Sequence, residues 1–136
     1  VQDYLNALIT FVKADGPVAA IASTRVYGIE LPESIANGDA QDCITITPAG
    51  GIETARTDRL VKARLDVRSY SDTPFNAMTL DRALWDALEA LQRSANNSTL
   101  MHAVWMAGSP FALKDPDIHW PFMLRPITLV VSGQST

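Results

Sequence analysis

The sequence predicts an α+β fold: a mainly antiparallel sheet with two amphipathic helices packed on one face and one long β-hairpin loop. Three observations predict it. Residues 60–70 alternate, with Val61, Ala63, Leu65 and Val67 on one face and Lys62, Arg64, Asp66 and Arg68 on the other. That period of two is what a half-buried strand needs. Directly afterwards Ala77, Leu80, Leu84, Leu88 and Leu91 recur at helical spacing, and near the N-terminus Val1, Leu5, Leu8, Ile9 and Val12 form a second helical stripe. Each apolar stripe must bury against an apolar strand face, which places both helices on one side of the sheet.

The other elements follow in order. Ala14-Asp15-Gly16-Pro17 stops the first helix, and residues 17–22 add one further turn with Val18 and Ile21 inward. Residues 25–27 read as a short strand. Residues 30–42 form a connector with two turn signals, Leu31-Pro32-Glu33-Ser34 and Asn37-Gly38-Asp39. Residues 43–47 are a β-branched strand ending at Pro48, with Ile44 and Ile46 toward the core. Residues 49–59 lack apolar periodicity and open on Gly50-Gly51, so they read as a long exposed hairpin loop. Connections of that length tend to be functional or mobile. In Ser71-Asp72-Thr73-Pro74, Asp72 or Thr73 can accept from the free amides of the next turn, and Pro74 suits the first helical position. Residues 94–98 end that helix. A strand over 100–107 is broken by Gly108-Ser109-Pro110, a turn sits at Asp115-Pro116-Asp117, and the last strand spans 122–131. Pro121 and Pro126 mark its beginning as irregular or as an edge.

A length of 136 residues suits one domain, residues 1–136. With 47% hydrophobic and 19% charged residues, the chain is not intrinsically disordered. No apolar run approaches the ~20 residues that span a bilayer, so no membrane partner is expected, and nothing resembles a signal peptide. The chain opens on Val1-Gln2-Asp3 without Met, which leaves residues before Val1 open. A net charge of -4 argues against a nucleic-acid-binding domain with a concentrated basic surface. Cys43 is alone, which excludes an internal disulfide and a cysteine-based metal site.

Chemistry-bearing groups are sparse. Asp115, Asp117 and His119 form a D-P-D-x-H arrangement that could offer metal ligands, but Pro116 makes a turn the more economical reading. His102 lies within an alternating apolar strand. Neither H-E-x-x-H nor G-x-S-x-G occurs, and Gly50-Gly51 lacks the Lys-Ser/Thr of a P-loop. Asp81 and Asp86 read as solvated helix-surface residues, and Cys43, opening a strand, reads as structural. No catalytic residue, metal site or cofactor is expected, and the chain is not read as an enzyme. Arg56, Arg59, Lys62, Arg64 and Arg68 form the one local charge concentration. Only Tyr70 interleaves with them, which disfavours base stacking, and leaves a solvated face or a surface toward acidic protein or passing DNA. Near the C-terminus Val104, Trp105, Met106, Phe111, Trp120, Phe122 and Met123 supply more apolar surface than one strand pair needs, and core and subunit interface compete for them.

An N-terminal helix is followed by Arg25-Val26-Tyr27-Gly28, the Leu31-Pro32 connector and Ile44-Thr45-Ile46-Thr47-Pro48-Ala49-Gly50-Gly51. Then come Leu65-Asp66-Val67-Arg68-Ser69-Tyr70-Ser71, the helix from Pro74 and the Gly108-Ser109-Pro110 turn. In this order and spacing, over most of its length, the chain resembles the tail terminator or tail-completion (head–tail joining) proteins of long-tailed bacteriophages. The resemblance implies a structural virion protein that forms a homo-oligomeric ring, typically hexameric, on the head-proximal end of the tail tube. Such a ring ends tube polymerisation and docks the tail to the head connector or stopper protein, while DNA passes through its lumen without specific binding. It would assemble in the host cytoplasm and reside in the tail or neck of the virion. The family supplies no catalytic residue to carry over. Within that picture Gly50, Gly51, Ile52, Arg56 and Arg59 are candidate inter-subunit or tube contacts, and Lys62, Arg64 and Arg68 a charged sheet face toward the lumen or an interface. Two other readings are another neck or minor head protein, and a small enzyme or ligand-binding domain with a pocket around His102, His119 and Asp117.

Overall fold

The alternating stretch at residues 60–70 becomes strand β3 (Val61–Tyr70), held between β2 (Cys43–Glu53) and β7 (Pro121–Gly133). The computed structural model describes residues 4–53, 61–91, 94–96 and 99–133. Its helices are α1 (Tyr4–Ala14), α2 (Gly16–Ala22), α3 (Glu33–Ala36) and α4 (Pro74–Glu89). The remaining strands are β1 (Val26–Gly28), β4 (Ser94–Asn96), β5 (Thr99–Met106) and β6 (Phe111–Lys114). Seven strands form a sheet of order β1-β2-β3-β7-β5-β4, with β6 also paired to β7. The β1–β2 pair is parallel and the other pairs are antiparallel.

The last strand, whose start was expected to be irregular or an edge, is paired on both sides and irregular only where its neighbour is interrupted. β7 pairs with β3 along Phe122–Val131 on one side, and on the other with β5 at its C-terminal half and β6 at its N-terminal half. β5 and β6 are thus two halves of one interrupted strand. The break falls opposite Pro126, whose carbonyl accepts from the Ala107 N–H at 3.1 Å. A strand residue points its N–H and C=O to the same side, so the donor missing at Pro126 faces the gap between β5 and β6. The β3 ladder therefore loses nothing. Gly108 closes over the same spot, where an added Cβ would come within 3.1 Å of Pro126 Cγ.

The helices cover one face. Ala7, Leu8 and Val12 of α1, Val18 and Ala22 of α2, and Leu80, Leu84 and Leu88 of α4 meet Ile44, Ile46, Leu65, Val67, Ile127, Leu129 and Val131 in the main core. The Asp15-Gly16-Pro17 stretch does more than stop α1: Asp15 Oδ2 accepts from the Val18 N–H at 3.1 Å and starts α2. At α4 the cap is Thr73, whose hydroxyl oxygen accepts from the Asn76 N–H at 3.2 Å, with Pro74 in the first turn. Asp72 instead accepts from the Asn76 and Ser71 side chains, which hold its carboxyl below the usual range.

Asp81 corrects the sequence reading. It is buried, and its two carboxylate oxygens receive Arg125 Nε at 3.0 Å and Nη2 at 2.8 Å. Trp85 lies against the same guanidinium, 4.7 Å from ring centroid to Cζ. Three elements were not expected: α3 inside the connector, β4 paired to β5 beyond α4, and β6 between the two late turns.

Asp81→Ala is expected to lower stability by about 3–5 kcal/mol in urea denaturation, because it strands a buried guanidinium. An Asp81→Leu, Arg125→Met pair should recover most of that loss, since neither charge then remains. Thr73→Ala should cost about 1 kcal/mol through loss of the cap.

Candidate functional site

The face of the sheet away from the helices carries the residues singled out from sequence. Its register sets Lys62 beside Val130, Arg64 beside Thr128, Arg68 beside Leu124 and Tyr70 beside Phe122. Lys62 and Arg64 are exposed, whereas Arg68 is half-buried. Lys62 Nζ sits 5.3 Å from the Trp105 ring centroid, and Arg68 Cζ 5.7 Å from that of Phe122. Arg68 Nε is buried without a partner among the described residues. This face is an aromatic–cation surface, with Trp105 51% and Phe111 47% exposed.

At the end nearer the connector the same face is covered. Cys43, Tyr70, Trp120 and Phe122 form a second cluster, flanked by Tyr27, Leu31, Ile35, Ala40, Ile118 and Leu124. Tyr70 meets Trp120 edge-on at 6.1 Å and Phe122 at 5.1 Å. Its hydroxyl donates to Asp115 Oδ2 at 3.5 Å, and burial pushes its pKa up. The Cys43 thiol is pushed up to about 11, burial outweighing the opposing effect of Arg25.

The hairpin is longer in its paired part than the sequence suggested. The β2 ladder continues through Gly51↔Ala63 and Ile52↔Lys62 to Glu53↔Val61. Ala49 and Gly50 together face Arg64, a bulge in which Gly50 takes φ +97, a conformation that costs glycine little. Gly50, Gly51 and Ile52 therefore belong to a strand rather than a loop. Arg56 and Arg59, with the rest of residues 54–60, lie outside the described residues. β1 pairs with β2 only at Ile44–Ile46. No described strand covers the rest of that edge, a ready template for pairing.

The candidate ligand groups are not brought together. Asp115 builds the turn after β6: its Oδ1 accepts from the Asp117 and Ile118 N–H groups at 2.8 and 3.2 Å. His119 is exposed at φ 62. His102 falls at the β5 bulge, where Nε2 lies 2.8 Å from Ser132 Oγ, at the opposite end of β7 from His119. Among the described residues no three His, Cys, Asp or Glu side chains gather as metal ligands.

Sequence reasoning missed a groove on the helix-covered side, between α4 and the β6–β7 edge. About 290 Å³ in volume, it is lined by Met78, Asp81, Arg82, Trp85, Pro110, Met123 and Arg125. Asp81 offered a signal, because it sits four residues after Ala77 and three before Leu84, beside the apolar stripe.

No protein-family model matches the sequence, and no curated protein matches it. Among solved structures the fold is similar to a chain from the virion of a native gene transfer agent (GTA) particle. The TM-score is 0.69 at 15% sequence identity, over 98% of this chain and 100% of that one.

Cys43 is expected to resist alkylation at pH 8 in the folded protein and to react once the chain is unfolded, as mass spectrometry would show. The folded state holds the thiol proton more tightly than the ordinary value of 9.0. The resulting stability is complete below pH 9 and is lost as pH rises toward 11.

Proposed function

We propose that this chain is a structural virion protein of a bacteriophage or phage-like particle, and that it forms a ring, probed first as a hexamer, at the head-proximal end of the tail tube. The observation that carries this reading is the end-to-end likeness of fold to a chain within a gene transfer agent virion, together with the resemblance in element order to tail terminators. The likeness spans 98% of this chain and all of that one, so it concerns the whole fold rather than one motif. The ring stops tube growth and docks the tail on the head connector.

Several physical features support an assembling role. Among the described residues part of the β2 edge has no strand partner, and Trp105, Phe111 and Leu113 are exposed on a face that no described helix covers at that end. A head-to-tail contact between such surfaces closes into a ring when its rotation divides the circle. Gly50, Gly51 and Ile52 of β2, with Arg56 and Arg59 beyond it in sequence, are the proposed contacts with tube or neighbour. Lys62, Arg64 and Arg68 border that contact or the lumen, and net acidity over the whole chain keeps DNA from being held there.

Negative-stain images and light-scattering mass of the purified chain, alone and mixed with tail tubes, test the reading. Rings that sit on one end of each tube are the expected result. A chain that stays monomeric and never caps tubes would overturn it. Deletion of the gene separates the roles: tails of abnormal length mark a terminator, whereas normal tails that fail to join heads mark another neck protein.

A further inference from the structure

We infer that the ring contact is made by the acidic connector of one copy seated in the α4–β7 groove of the next. This inference rests on the ring-forming reading above and names the two surfaces that meet.

The groove is built to accept an apolar side chain beside an acceptor group. Met78, Trp85, Met123 and Pro110 supply apolar walls, and Met78 is 43% exposed. Arg125 spends Nε and Nη2 on Asp81. Its Nη1 is buried with no partner among the described residues, an orphaned donor that burial makes costly. Arg82, exposed on the rim, makes no ion pair among the described residues. The groove therefore carries an exposed cation on its rim and, beneath its apolar walls, a buried guanidinium donor without a partner among the described residues.

The connector supplies the complement. Residues 29–42 hold four of the chain's 15 acidic residues, Glu30, Glu33, Asp39 and Asp42, and none of its 11 basic ones. Asp42 is engaged by Ser71 Oγ at 2.7 Å, whereas Glu30 and Glu33 are exposed. Beside them Ile29 is 58% exposed. An apolar side chain flanked by carboxylates is the chemistry that the groove lacks.

Placement decides which copy is involved. The connector packs on the face away from the long helices, where Leu31, Ile35 and Ala40 meet the Tyr70, Trp120 and Phe122 cluster, whereas the groove opens between α4 and β7 on the helix-covered face. The sheet itself lies between them, so a copy cannot fill its own groove. Two different, complementary surfaces of one chain make a head-to-tail contact, the kind that closes into rings.

The test uses the full chain with charge reversals on each side: Arg82→Glu in one variant, and Glu30→Lys with Glu33→Lys in another. Each alone should assemble about a hundredfold more weakly, because like charges then face each other. An equimolar mixture of the two should reassemble, with the variants alternating around the ring. Mass photometry reads the oligomers, and circular dichroism checks that the exposed substitutions leave the fold intact. Independently, an Ile29→Cys, Met78→Cys chain should form disulfide ladders between copies under mild oxidation. If the unaltered chain forms rings and both variants do so equally well, or if the mixture fails to reassemble, or if no ladder forms, the contact is overturned while the ring stands. An unaltered chain that remains monomeric overturns the ring reading and this contact with it.

Discussion

A buried guanidinium–carboxylate pair ties the helix layer to the sheet. Asp81 sits on α4 and Arg125 on β7, the strand that pairs on both of its sides. Taking two charges out of water is expensive, and the Coulomb energy returns that expense only when geometry is good and the remaining donors are satisfied. The geometry here is bidentate, with Trp85 stacked near the guanidinium. What the pair provides is position more than net stability: an apolar stripe could slide by a turn along the sheet, but a two-pronged bond between fixed residues cannot. Arg125 Nη1, buried without a partner among the described residues, then becomes informative, because it belongs to a residue that lines a groove.

The same central strand explains how a chain with eight prolines keeps a continuous sheet. Pro126 falls where β5 has ended and β6 has not begun, with its absent donor turned toward that gap. The interruption of the neighbouring strand and the proline are one feature. A proline three residues away in sequence would have confronted a full ladder.

Much of the architecture was legible because it is written in local periodicity. β3 and α4 occupy nearly the expected positions, and the buried stripe of Ala77, Leu80, Leu84, Leu88 and Leu91 is the one the spacing names. What escaped were elements whose stability is borrowed. α3, β4 and β6 are three or four residues long, too short to show a period, and exist through pairing or docking that no window of sequence displays. Asp81 escaped for another reason: its partner lies 44 residues away, so a carboxylate beside an apolar stripe looked like surface. The hairpin escaped in part because the bulge at Ala49 and Gly50 breaks the alternation that would have revealed the strand on both sides of it. Of the candidate contacts, Lys62 and Arg64 are exposed, whereas Arg68 is half-buried with its guanidinium against the Phe122 ring.

Ile29 brings the surface argument to a single residue. Its φ of 72 is a left-handed conformation, which a β-branched side chain adopts at a cost of about 1–3 kcal/mol. Three hydrogen bonds hold the backbone there: the Ile29 N–H to the Ile46 carbonyl at 2.9 Å, Thr47 Oγ1 to the Ile29 carbonyl at 2.8 Å, and the Glu30 N–H to the Gly28 carbonyl at 2.8 Å. Glycine or asparagine would accept the same backbone with less strain. The side chain that incurs the strain is mostly exposed and so returns little burial to the chain on its own. An arrangement that penalises the monomer and presents an apolar group amid carboxylates is accounted for if that group is buried elsewhere, against a second copy. Outside the connector the acidic and basic residues balance, so the net charge of the chain is concentrated on the segment that would make the proposed contact.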